Sequence, residues 1–235
     1  MKNIAVIPAR SGSKGLKDKN IKLLNDKPLI WYSIQAAIAS ECFEEVMVST
    51  DSEKYAEIAR ECGAAVPFLR SEEMSADKAS SWDTVREVLD NYKDLGKEFD
   101  TVMLLQPTSP LRTAEDIRNA FAILKEKNAD SVVGVCVMDH SPLWSNVLPA
   151  NRCLDGFIRP EVKEASGRQS LPTYYRINGA IYLTKVTGAL GTNLYSDSGY
   201  AYVMEQAKSI DIDTELDFKM AEFLFSMQER FDYNM

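Results

Sequence analysis

Short β-branched apolar runs alternate with helix-period segments along the first 137 residues, and a chain patterned this way must bury its strands between layers of helices. KNIAVIPA (2–9), EEVMVST (44–50), TVMLLQ (101–106) and SVVGVCV (131–137) read as strands, with a shorter one near 65–69. Between them lie helical segments at 28–40, 51–63, about 81–93 and 113–127. Gly63 supplies a stop signal, and Thr113 with Asp116 has capping-box spacing. The order β-α-β-α predicts an α/β fold, a mostly parallel sheet with helices on both faces. Between about 139 and 177 the alternation stops. Pro142, Pro149, Pro160 and Pro172 interrupt a stretch with few periodic apolar residues, which reads as an insertion. NGAIYLTK (178–185) and AKSIDID (207–213) resume as strands, and a helix from about 214 to 230 closes one domain spanning 1–235.

Composition excludes several classes. No apolar run approaches the roughly 20 residues that span a bilayer, and MKNIAVIPAR lacks the pattern of a signal peptide, so a cytoplasmic location is expected. The four cysteines, Cys42, Cys62, Cys136 and Cys153, form no C-x-x-C pair, and His140 is the single histidine, an arrangement that suits free, mostly buried thiols rather than zinc. His140 itself reads as a surface or interface residue. A net charge of −8 argues against nucleic acid as a partner.

Against that acidic background the loop from Arg10 to Asn20 is basic: Arg10, Lys14, Lys17 and Lys19 face the single acid Asp18. It follows the first strand, the end of a doubly wound sheet where ligands bind, and Gly12 and Gly15 permit close backbone approach to an anion. Its spacing matches neither a P-loop nor the dinucleotide fingerprint. In Asp211-Ile212-Asp213, residues two apart on a strand would share a face and could converge on a hard cation such as Mg²⁺. Asp217, three residues after Thr214, is explained by helix capping. QPTSPLR (106–112) follows a strand, with Gln106 and Thr108 as neutral hydrogen-bonding groups and Arg112 as a charge. RQSLPTYYRINGAIY (168–182) places Arg168 and Arg176 beside Tyr174 and Tyr175, a pattern suited to a carboxylate.

IPARSGSKGLKDKN, VSTD, QPTSPLR, RQ-x-LP through NGAIY, and SIDIDTELD together resemble the acylneuraminate cytidylyltransferases, the CMP-sialic acid synthetases and their relatives. These stretches run from residue 7 to residue 217. The resemblance implies a Rossmann-like nucleotidyltransferase domain that joins CMP from CTP to a nine-carbon acidic sugar with Mg²⁺ and releases pyrophosphate. It implies that Arg10, Ser13, Lys14 and Lys19 hold the triphosphate, and that Asn20, Arg70, Ala79 and Ser81 surround the cytidine. Gln106, Arg168 and Tyr182 would face the sugar acid, and Asp211 and Asp213 the metal, with Arg10, Lys19, Gln106, Asp211 and Asp213 as the catalytic set. Residues 139–177 would form a dimerisation arm, and the chain a homodimer.

One departure bears on the acceptor. The sialic acid synthetases tend to carry lysine where this chain has Trp144, so the expected acceptor is legionaminic, pseudaminic or another nonulosonic acid rather than N-acetylneuraminic acid. Two alternatives stand beside this reading: a nucleotidyltransferase using a different nucleotide or sugar and, from another class, a non-catalytic nucleotide-binding regulator. The absence of G-x-G-x-x-G argues against a dinucleotide oxidoreductase.

Overall fold

The structure is a computed structural model describing residues 1–12, 15–75, 80–158, 162, 171–187, 190–191 and 194–232, with side chains described as far as 227. Its strands are β1 (Asn3–Pro8), β2 (Leu23–Leu24), β3 (Lys27–Pro28), β4 (Glu45–Ser49), β5 (Thr101–Leu104), β6 (Ser131–Val137), β7 (Tyr175–Lys185) and β8 (Gly199–Val203). The helices are α1 (Leu29–Ser40), α2 (Glu53–Glu61), α3 (Glu72–Ser75), α4 (Ser81–Asp94), α5 (Ala114–Glu126) and α6 (Glu215–Asp232).

Six strands form one sheet in the order β4-β1-β5-β7-β6-β8. Neighbours are parallel except around β7, which runs antiparallel to both β5 and β6. The pleat divides the apolar side chains between two layers. Ala5, Ile7, Val48 and Met103 join α1, α2 and α5 in one core cluster, while Ile4, Val6, Met47, Val102 and Leu104 join Val85, Val88 and Tyr92 of α4 in the other. Strands covered on both faces read as continuous apolar runs, which is why β1 and β5 were visible in the sequence. β2 and β3 form a separate hairpin whose two loop residues, Asn25 and Asp26, both have positive φ, as a type I′ turn requires.

Several elements differ from the sequence reading. Near 65–69 only a single bridge forms, Met47 to Ala65, so this stretch is not a strand. Residues 207–213 are not a strand either: a one-turn 3-10 helix, Gln206–Lys208, leads into an irregular loop. Its alternation reflects Ile212 buried in a core cluster and Ile210 packed against it, beside exposed Asp211 and Asp213, without a ladder partner. Conversely GYAYV (199–203) is the edge strand β8, pairing parallel with β6. Among the cysteines only Cys136 is buried; Cys42 and Cys62 are half-buried and Cys153 is exposed, all as free thiols.

Within 139–177 the described residues include the 3-10 turn Pro142–Trp144, a helical residue at Val162 and the start of β7, and Trp144, Val147, Leu148 and Leu154 are exposed. Among the described residues no helix is long and apolar enough to cross a membrane.

A third cluster positions the loop after the last 3-10 turn: Ile212, fully buried, packs with Leu24, Leu29, Phe218 and Ala221. Helix α6 starts from a capping arrangement, with Asp217 Oδ2 accepting from Thr214 N (2.7 Å) and Oγ1 (2.8 Å), and from Asp213 N (3.1 Å). Helix α5 has a full capping box between Thr113 and Asp116. Thr113→Ala is expected to lower stability by about 1 kcal/mol, and Ile212→Ala by about 2–5 kcal/mol through cavity formation. Urea midpoints would check both; an unchanged midpoint for Ile212→Ala would contradict the seating of this loop.

Candidate active site

The parallel strands β4, β1 and β5 end at one edge of the sheet, and the loops after them gather there. After β1, Ser11 N and Oγ donate to the two oxygens of Asp51, at 2.8 and 3.1 Å, which ties the basic loop to the loop following β4. Asp18, in the left-handed region at φ 51°, accepts from the Tyr55 hydroxyl at 3.0 Å. Burial, reinforced by Asp18, raises the Tyr55 pKa, so this hydroxyl keeps its proton as a donor. Buried Asn20 donates from Nδ2 to Arg10 O (3.1 Å), closing the loop on itself.

The basic loop then reaches across the chain. Lys19 Nζ donates to Ile212 O at 2.8 Å and pairs with Asp213 Oδ1 at 2.9 Å. Gly15 lies so close to the same segment that a Cβ there would stand 2.6 Å from Asp213 O. Ile212 N donates to Thr108 O (2.9 Å), which adds the loop after β5. Three loops distant in sequence therefore meet at residues 211–213.

Antiparallel pairing supplies the opposite wall. Because Leu104 pairs with Tyr182, the chain continuing past β5 runs alongside the earlier residues of β7. There β7 bulges opposite Gly134, and Gly179 adopts φ +79°. A Cβ on Gly179 would lie 2.7 Å from Gln106 Oε1 and 3.6 Å from Asp211 Oδ2, so the missing side chain is what admits both groups. Arg176 donates to Ser209 O (3.1 Å) and lies near enough to Asp211 to favour its ionised form. Tyr182 is half-buried, its pKa pushed up to about 12 chiefly by burial, with smaller contributions from Tyr195 and Asp211. Its ring meets Trp82 edge-on at 6.5 Å.

Asp211 keeps some solvent contact, yet the surrounding protein desolvates its carboxyl enough to hold the pKa above the ordinary value. Asp213 adds to that rise, while Thr108, Lys19 and Arg176 oppose it. Because 211–213 is not a strand, the shared face expected for Asp211 and Asp213 is not set by a pleat; Asp213 acts on Asp211 through its charge, and among the described residues no cluster of three or more metal-ligating His, Cys, Asp or Glu exists.

The expected site residues thus fall into two adjoining groups. Lys19, Gln106, Tyr182, Asp211 and Asp213 come together around the 211–213 loop. Arg10, Asn20 and Arg70 form a second group. Arg10 donates to Ser75 O at 3.3 Å, and buried Arg70 is fixed by Ser49, Nε to Oγ at 3.0 Å and Nη2 to O at 2.6 Å. Burial brings the Arg70 pKa down to about 10 against the opposing charges of Asp51 and Glu87, leaving it a cation at neutral pH. Ser81 opens α4 directly after the capping residue Ser80. Ser13, Lys14, Ala79 and Arg168 lie outside the described residues.

Arg112 corrects the reading of QPTSPLR, because it is 2% exposed and offers no charge to a ligand. Asp51, Tyr55, Trp82 and Gly179 were not singled out from the sequence. Gly179 was legible only as a glycine within an apolar strand, a sign of a bulge or close approach.

A basic loop facing a carboxylate pair at the carboxyl ends of parallel strands is an arrangement suited to a nucleotide and its phosphates. The family model described as "Cytidylyltransferase" matches residues 4–234, and the chain belongs to that family. It is 38% identical over 237 residues to a CMP-N,N'-diacetyllegionaminic acid synthase of Legionella pneumophila, covering 97% of this chain and 98% of that one. It is 40% identical to an N-acylneuraminate cytidylyltransferase of Streptococcus agalactiae over 93% of this chain, but spans only 52% of that longer relative. Its fold matches a CMP:2-keto-3-deoxy-manno-octonic acid synthetase solved with CTP, at a TM-score of 0.71 and 16% identity, covering 97% of this chain and 100% of that one.

The raised Asp211 pKa has a consequence for stability. The folded chain binds that proton more tightly than the unfolded chain, so the ionised carboxylate costs stability once the pH exceeds the raised value. In EDTA, Asp211→Asn should raise the Tm at pH 7 by about 2–4 °C per kcal/mol relieved. The gain should shrink as the pH falls toward the ordinary carboxylate value, and a Tm unchanged at pH 7 would contradict it.

Proposed function

We propose that this chain transfers CMP from CTP to the anomeric hydroxyl of a nonulosonic acid, releasing pyrophosphate. N,N'-diacetyllegionaminic acid is the first acceptor to test, since the relative named for it matches nearly end to end. The observation that carries the reading is the junction at residues 211–213, where the cationic loop, the paired carboxylates and the Gln106–Gly179 wall meet.

In the reaction the acceptor oxygen forms a bond to the α-phosphorus as the bond to the bridging oxygen of pyrophosphate breaks in line. Such a step asks mainly for positioning and charge neutralisation. Lys19 has three ammonium donors; two engage Ile212 O and Asp213, and the third can meet a phosphate oxygen. Arg10 and Lys19 would offset the charge that builds on the leaving group, with Ser13 and Lys14 completing the loop and Asn20, Arg70, Ala79 and Ser81 around the cytidine. Gln106 and Tyr182, with Arg168, would receive the sugar acid. Trp144, exposed on the 3-10 turn that Leu143 anchors, is the side chain we assign to acceptor selection.

Hard oxygen donors from two like-charged carboxylates, Asp211 partly desolvated and Asp213 exposed beside Lys19, suit Mg²⁺, which keeps several waters or phosphate oxygens of its own. Held by Asp211 and Asp213, it would supply positive charge at the α-phosphate. The exposed apolar residues of the 139–177 segment support a homodimer in which this arm packs on a second copy, in the cytoplasm.

Pyrophosphate release with Mg²⁺ and CTP, across N,N'-diacetyllegionaminic, N-acetylneuraminic, pseudaminic and octulosonic acids, tests the reading. Release with one nonulosonic acid is expected, with loss on Asp211→Ala or in EDTA and a fall of about 10²–10³ in rate for Lys19→Ala. Turnover with another nucleotide only would favour a different nucleotidyltransferase. Silence with every nucleotide would contradict enzymatic function.

A further inference from the structure

Arg112 is buried in a way that charge alone does not justify. Nη1 donates to Gln106 O (3.3 Å) and Ala180 O (2.8 Å), and Nη2 to Ser33 Oγ (2.5 Å), while Ser33 Oγ itself donates to Gln106 O at 3.2 Å. Nε has no hydrogen-bond partner, and among the described residues no carboxylate forms an ion pair with this guanidinium. Asp116, the acid whose charge it feels, is engaged in capping α5 and accepting from Tyr202. Burial lowers the Arg112 pKa to about 10, so it stays charged at neutral pH. A buried, uncompensated cation is costly, and apolar replacement of buried ion groups is often tolerated or stabilising. What the arginine holds therefore matters more than what it adds to stability.

The two carbonyls it grips belong to Gln106 and to Ala180, the residue after Gly179. They are the backbone points flanking the place where the Gln106 amide lies against the Gly179 bulge, beside Asp211. Nη1 bridges the two carbonyls while Nη2, fixed in the same plane, holds Ser33 Oγ, so three acceptors are set at once by one rigid group; a lysine ammonium is a point donor on a flexible stem. We propose that Arg112 is a positioning residue for the acceptor half of the site, fixing the spacing between the Gln106 amide and the Gly179 bulge against which the sugar acid is received. The inference rests on the functional reading above, since it assigns that wall to the acceptor rather than to the nucleotide.

Steady-state pyrophosphate release with CTP, Mg²⁺ and either N,N'-diacetyllegionaminic or N-acetylneuraminic acid tests it. For Arg112→Met, kcat/KM for the acceptor should fall about 10–100-fold, on the scale expected for a misplaced binding wall, while KM for CTP stays within about twofold. Arg112→Lys should recover part of the loss. Ser33→Ala, which removes only the hydroxyl bridging Gln106 and Arg112, should move the acceptor KM in the same direction by about threefold, near the worth of one hydrogen bond. An Arg112→Met protein that changes both KM values alike, or neither, overturns the proposal. Should Arg112→Met not fold, an unmoved acceptor KM in Ser33→Ala overturns it. A wild-type chain silent with both acids removes the functional reading and this inference with it. Wild-type turnover with an unaffected Arg112→Met removes this inference alone.

Discussion

The contact between Lys19 and the backbone and side chain of residues 212–213 is the constraint on which the site depends. It joins a loop after the first strand to a loop some 190 residues later, and Ile212 N on Thr108 O brings in a third. Neither partner could hold its place alone. Without the lysine, Asp213 would meet Asp211 with less opposing charge; without the apolar anchor of Ile212 among Leu24, Leu29 and Phe218, the acidic loop would have no fixed seat. Gly15 completes the arrangement, because any side chain there would collide with the Asp213 carbonyl.

The antiparallel strand β7 explains why the site has two walls. In an all-parallel sheet the chain beyond β5 would be flanked by loops on both sides. Here β7 runs back beside it, and its bulge at Gly179 brings a peptide unit against Gln106 and Asp211. Tyr182, three residues further on, then contacts Trp82 at the start of α4, adjoining the serines that open that helix. The wall we assign to the acceptor and the elements we assign to the nucleotide are thus in physical contact.

Most of the fold was legible because its strands are covered on both faces and its helices carry capping signals, as at Thr113–Asp116 and Thr214–Asp217. The failures have identifiable causes. SIDID alternates because Ile212 enters a core while its neighbours face out, and period-two burial mimics a strand when no ladder exists. GYAYV escaped notice because β8 is an edge strand with mostly exposed side chains. In the site, the residue types of the basic loop and the carboxylate pair were readable, since their chemistry is carried by charge. Arg112 was misread for the same reason: a charge in a loop looks available, and only tertiary packing reveals that it is enclosed. The role of Gly179 depends on what stands opposite its missing Cβ, which no local pattern records.

The central claim is that the α-phosphoryl group of CTP moves to the sugar acid. It is tested most directly with CTP labelled at the α-phosphorus, by following where the label goes with and without acceptor. The account predicts label in a CMP-sugar that forms only when the acid is present. Label appearing in free CMP at the same rate without any acid would contradict it, because the site would then be hydrolysing CTP rather than joining it to a sugar.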